Sequence, residues 1–246
     1  MTADRPSAMK RFAASMAPLE PLVDPRVGVG HELASPSRTM LIAFAAMSPL
    51  KPPPFHLFEA TTGLPVKRLF VRDPARVWYQ HGVPGFGDSI DEVAASLRAI
   101  IDEHEVDRLV TIGSSAGGYA ALAFGSLLEA DLVLSFSPQT ILDRTWLAEV
   151  GDERWPGHFK NLAALGGPDA RWIDLRDALP RERRDRTVYE VRYPTPHEED
   201  ARHAERLDGV PGLELIGYER GHHNFIRGLR DRGELSDIFS AAGLTA

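Results

Sequence analysis

The chain has 246 residues, 35 acidic side chains against 28 Lys and Arg, and a formal charge of −7. That length fits one large α/β domain or a core carrying a cap, and the negative balance argues against a nucleic-acid surface. There is no cysteine, which excludes disulfides, a thiol nucleophile and a Cys-ligated zinc.

Residues 1–38 carry Pro6, Pro18, Pro21, Pro25 and Pro36 and few periodic apolar positions. Irregular structure is predicted there, with a short helix near Met9–Met16. Lys10-Arg11 precede an apolar run from Phe12 to Ala17 that Pro18 breaks. It is too short for a secretory signal, and no stretch is long enough to span a bilayer. The expectation is a soluble, cytoplasmic protein.

Thr39 to Met47 is a continuous apolar run, which predicts a central strand buried on both faces. Pro49, Pro52, Pro53 and Pro54 then force a loop. Val66–Val71 is predicted as a second strand and Arg76–Tyr79 as a short third. His81-Gly82-Val83-Pro84-Gly85-Phe86-Gly87 reads as a tight, exposed loop. Ser89 and Glu92 make a capping box before a helix whose apolar positions are Ile90, Val93, Leu97, Ile100 and Ile101.

Arg108–Ile112 has the β-branched, apolar look of a buried strand, and Tyr119–Phe124 is helix-forming. Between them Gly113-Ser114-Ser115-Ala116-Gly117 spells G-x-S-x-G. A serine at a sharp strand-to-helix turn needs a strained backbone with φ > 0. Its neighbours two residues away crowd the turn, so glycine is required at both. This is the pattern of a nucleophile elbow centred on Ser115.

Asp131–Phe136 is another predicted strand. Residues 140–186 change character, with Trp146, Trp155, Phe159 and Trp172 spread through a charged stretch, and are predicted as an inserted helical cap. Thr187–Tyr193 is a strand, followed by a helix starting near Asp200. Leu213–Tyr218 is the last strand, and two short helices close the chain. Strands alternating with helices imply a doubly wound, mostly parallel sheet. Its core is assigned to residues 39–139 and 187–246.

With the elbow, residues 39–246 resemble the α/β-hydrolase superfamily. Leu69–Asp73, Trp78-Tyr79, Gly113–Leu122 and Phe136–Thr140 resemble, more narrowly, a small bacterial serine-hydrolase-like group associated with surface-polysaccharide or secondary-metabolite gene sets. The superfamily order is nucleophile, acid, histidine. The resemblance implies Ser115 as nucleophile and a histidine after the last strand as its base. His223, which precedes Asn224-Phe225, is favoured there, and His222, which follows Gly221, is left open. The acid should follow the strand before the last. Asp200 is the first choice, Asp143 the fallback, and Glu198 and Glu199 stand behind them.

Two backbone N–H groups should form an oxyanion hole. Ala116 and Val83 are the expected donors, with His81, Gly82 and Ser114 lining the substrate site. A metal held by His197, Glu199, Asp200 and His203 is set aside, because H-E-x-x-H is absent. No cofactor is expected. The implied activity is serine-dependent cleavage of an ester or thioester on a small-molecule or carrier-bound acyl substrate. Acyl transfer with the same residues is the alternative, and a non-catalytic binding protein on the same fold is a third.

Overall fold

The computed structural model describes residues 7–12, 16–18, 27–50, 54–182 and 186–245. In chain order these form α1 (Ala8–Arg11), β1 (Met16–Pro18), β2 (Val29–Glu32), β3 (Thr39–Phe44), β4 (Lys67–Val71), α2 (Ile90–Glu103), β5 (Arg108–Ser114) and α3 (Ala116–Leu127). There follow β6 (Leu132–Phe136), α4 (Arg144–Glu149), α5 (Pro156–Ala164), α6 (Leu175–Glu182), β7 (Val188–Pro194), α7 (Glu198–Glu205), β8 (Leu213–Tyr218), α8 (Phe225–Asp231) and α9 (Glu234–Ala241).

The eight strands make one sheet in the order β1-β2-β4-β3-β5-β6-β7-β8. From β4 to β8 every neighbouring pair is parallel, while β2 runs antiparallel to β4 and parallel to β1. Alternate residues of the central strands face opposite layers. Met40, Ile42 and Phe44 of β3 join the cluster that includes Val93 and Leu97 of α2 and Tyr119 to Phe124 of α3. Leu41 and Ala43 pack with Leu229, Ile238 and Phe239 of α8 and α9. Burial on both faces explains why β3 and β5 read as unbroken apolar runs.

Two expectations fail here. The segment taken as irregular contains β1 and β2, which extend the sheet beyond β4. Its prolines concealed them, since strands of three and four residues leave little periodicity to read. Among the residues expected to form a helix near Met9–Met16, helix covers Ala8–Arg11 and Met16 opens β1; residues 13–15 lie outside the described ones. Arg76–Tyr79 is not a strand: Arg76, Trp78 and Tyr79 all have positive φ. The Asp73 carboxylate holds this turn by accepting the N–H groups of Arg76 (3.0 Å), Val77 (2.6 Å) and Tyr79 (2.9 Å).

Between β6 and β7 the chain is largely helical, through α4, α5, a 3₁₀ turn at Ala170–Trp172 and α6. Trp78 packs at a tilt of 36° against Phe159 of α5 (4.6 Å between centroids), which ties this layer to the core. Among the described residues no helix is long and apolar enough to cross a membrane.

Candidate active site

Parallel strands put their carboxyl ends along one edge, where α/β sheets assemble sites. Four successive strands each deliver a residue there: Ser115 follows β5, Gln139 follows β6, Asp200 follows β7 and His223 follows β8.

The turn after β5 is as tight as its glycines imply. Ser115 has φ 57° and ψ −124°. A Cβ at Gly113 would lie 2.0 Å from the Gly117 carbonyl oxygen, and one at Gly117 would lie 2.2 Å from that of Phe44. No side chain fits at either position. The Ser115 N–H donates to Phe136 O at 2.9 Å, which fastens the corner to β6.

The Ser115 Oγ stands 2.9 Å from Nε2 of His223. The His223 Nδ1 stands 2.8 and 3.0 Å from the two carboxylate oxygens of Asp200. A carboxylate only accepts, so Nδ1 carries the proton and Nε2 is free to accept from the serine hydroxyl. Asp200 is fully buried in the first turn of α7, and His197 caps that helix by accepting the Asp200 N–H (3.4 Å).

Arg154, from the helical layer, donates from Nη1 to Asp200 Oδ1 (2.7 Å), with that nitrogen 3.4 Å from His223 Nδ1. Its Nη2 and Nε hold Asp152 at 2.6 and 2.9 Å. Asp152 in turn accepts from His203 Nε2 (3.2 Å), whose Nδ1 accepts the Thr140 N–H (3.1 Å). Burial of Asp200 disfavours its charged form, but bonds and charge from His223 and Arg154 outweigh that and hold its carboxyl at about 2. Burial pushes the His203 imidazole below its ordinary value, which fits a neutral ring in this chain.

The remaining predicted residues fall elsewhere. His222 is exposed, and its Nδ1 accepts the nearby Asn224 N–H (3.4 Å). Asp143 caps α4 through Thr145 N (2.7 Å). Glu198 pairs with Arg202, and Glu199 lies 3.4 Å from His197. The oxyanion assignment to Val83 is corrected: its N–H donates to Gly87 O at 3.0 Å, closing the loop on itself. That loop is also less exposed than expected, with Val83 and Phe86 buried. His81 bonds Gly167 O (3.2 Å) and the Gly82 N–H bonds Tyr79 O, while Ser114 ends β5 opposite Phe136. Ala116 begins α3, where a backbone N–H has no intrahelical acceptor.

Three contributors lay outside the sequence reading as site residues. Arg154 was one charge in a charged stretch. Trp155, at φ 66°, sets its ring 5.6 Å from that of His223. Gln139 lies in the stretch Phe136–Thr140, and its Oε1 is 3.2 Å from Ser115 Oγ. Among the described residues no group of three or more His, Asp or Glu is arranged to hold a metal.

With this geometry established, likeness to solved structures settles the architecture. The chain has the α/β-hydrolase fold. A hydrolase from Pseudomonas aeruginosa superposes with a TM-score of 0.53 at 15% identity, covering 92% of this chain and 98% of that one. The capsule O-acetyltransferase of Neisseria meningitidis serogroup A gives 0.64 at 13% identity, covering 87% and 89%. The glycosylation-associated Gap123 complex of Streptococcus agalactiae gives 0.60 at 12% identity, covering 89% of this chain and 45% of that one. No protein-family model matches the sequence, and no curated protein does.

Proposed function

We propose that this α/β-hydrolase-fold protein is a serine-dependent enzyme that cleaves an ester or thioester through an acyl-enzyme. The observation that carries the reading is the unbroken relay Ser115 Oγ–His223 Nε2 (2.9 Å) and His223 Nδ1–Asp200 Oδ1 (2.8 Å). A hydroxyl is a weak nucleophile until an adjacent base takes its proton. His223 takes it as Oγ attacks the acyl carbon, and ionised Asp200 stabilises the imidazolium that forms. His223 then protonates the leaving group.

The Ala116 N–H is one oxyanion donor. The second is assigned to the loop after β3, whose Phe44 and Ala45 pack on Gly117, at a position beyond Ala46, because the Ala45 and Ala46 N–H groups already donate to Val71 O and His56 Nδ1. Deacylation reverses the sequence with a new nucleophile. Transfer to an alcohol rather than water is the second reading. Ser115 is only 6% exposed, and a site that excludes water favours a bound acceptor. The capsule O-acetyltransferase shares the fold.

The test is turnover of p-nitrophenyl acetate with fluorophosphonate labelling. Ser115→Ala should lower kcat/KM by about 10⁴-fold or more and abolish labelling while the protein stays folded. Labelling that persists in Ser115→Ala would overturn the reading.

A further inference from the structure

Gln139 is 3% exposed and lies at the carboxyl edge of the sheet, three residues beyond β6. Its Oε1 accepts the indole N–H of Trp78 at 3.2 Å and stands 3.2 Å from Ser115 Oγ. An indole nitrogen only donates, so the amide can face Trp78 in one way, oxygen first. That leaves Nε2 at the other end of the same amide. Among the described residues, this buried nitrogen has no hydrogen-bond partner.

A buried amide donor without a partner is uncommon in native interiors, and one that adjoins a nucleophile is accounted for by a bound water, an ion or a group of the substrate. The position says which. The amide oxygen lies 3.2 Å from the nucleophilic oxygen, so a substrate that reaches Ser115 comes within reach of the Gln139 amide.

We propose that Gln139 selects the acyl acceptor: its Nε2 binds the hydroxyl next to the attacking one, so the preferred acceptor is a vicinal diol or polyol. The proposal rests on the acyl-enzyme reading. Ser115 gives its one proton to His223 Nε2, so among the described residues Gln139 Oε1 accepts the Trp78 N–H alone both before and after acylation. The attacking acceptor hydroxyl gives its proton to His223 Nε2 as its oxygen bonds to the acyl carbon. The tetrahedral intermediate then breaks the bond to Ser115 Oγ, and His223 returns the proton to Oγ. The products are the acceptor's ester and free Ser115.

Throughout these steps a neighbouring hydroxyl, itself both acceptor and donor, takes the Nε2–H and gives its own proton to Oε1. Both ends of the amide are then used. A mono-alcohol at the attacking position leaves Nε2 unpaired.

The experiment supplies p-nitrophenyl acetate as donor with equal concentrations of 1-propanol or 1,2-propanediol. It measures acetyl ester formed per p-nitrophenol released. The wild type should favour the diol by about tenfold, the worth of one or two hydrogen bonds. Gln139→Met should bring that preference to near unity. Gln139→Asn, which keeps an amide but withdraws it by one methylene, should do the same if the Met variant does not fold. Equal transfer to both alcohols by the wild type, or a preference that survives both substitutions, overturns the proposal while leaving the acyl-enzyme intact. No p-nitrophenol release from the folded wild type overturns the acyl-enzyme reading and the proposal with it.

Discussion

Adjacent histidines show how far single residues can be read before a structure exists. His222 and His223 differ by one step on the chain, and composition around them does not say which ring turns inward. The turn at Gly221, with φ 125°, leaves His222 exposed and His223 only 14% exposed against Ser115. Asp200 was reached only through the resemblance, which implies an acid after the penultimate strand, and its carboxylate lies 2.8 Å from His223 Nδ1. Arg154 was not reached, since its partner is 46 residues away. Its Nη1 lies 3.4 Å from His223 Nδ1 and shares Asp200 Oδ1 with it. His223 is faced by Ser115, Asp200 and Arg154, with the ring of His197 6.0 Å away. Arg154→Gln removes one positive charge from this group. It also removes the donor that holds Asp200 Oδ1 behind the imidazole, so kcat/KM for p-nitrophenyl acetate should fall by about tenfold or more, the worth of one hydrogen bond to a charged group. Unchanged kcat/KM in the folded variant would show that the arginine only braces the fold. Asp200 makes a second measurement. Its folded carboxyl, held at about 2, lies below the unfolded value, so it contributes stability above about pH 4 that is lost as pH falls towards 2. That contribution is on the order of 2–3 kcal/mol. Urea unfolding of Asp200→Asn should show its largest deficit at pH 5–7, shrinking below pH 4.

Elements were readable in proportion to their periodicity. The capping box at Ser89 is present in part: Ser89 Oγ accepts the Glu92 N–H at 3.2 Å, but the Glu92 carboxylate reaches back to the Asp88 N–H. The run Arg76–Tyr79 looked like a strand because Val, Trp and Tyr suit one. Tertiary bonding overrode that preference, for Asp73 gathers three backbone N–H groups and three non-glycine residues take positive φ. The turn matters to the site because it aims Trp78 at Gln139. Asp73→Ala should leave those donors without an acceptor and lower unfolding free energy by about 2–4 kcal/mol. Esterase activity should fall with it at temperatures where the variant remains folded. Wild-type stability in this variant would mean that the turn is held by packing alone.

At the scale of the molecule, apolar runs separated by amphipathic helices were enough to read a parallel sheet. They did not reveal β1 and β2, whose pairing is long-range and whose short strands carry no repeating pattern. The helical stretch between β6 and β7 was legible as a break in composition, but not its contacts with Asp200 and His223. Arg154 and Trp155 bring that layer onto Asp200 and His223, so the sheet edge and the layer above it make one site. The central claim is that this site passes through a covalent acyl-enzyme. Intact-mass spectrometry of protein quenched in acid during turnover of p-nitrophenyl acetate tests it most directly. One acetyl adduct should appear, mapping to Ser115, and should be absent in Ser115→Ala. Turnover with no adduct under any quench, or an adduct on another residue that persists without Ser115, would contradict it.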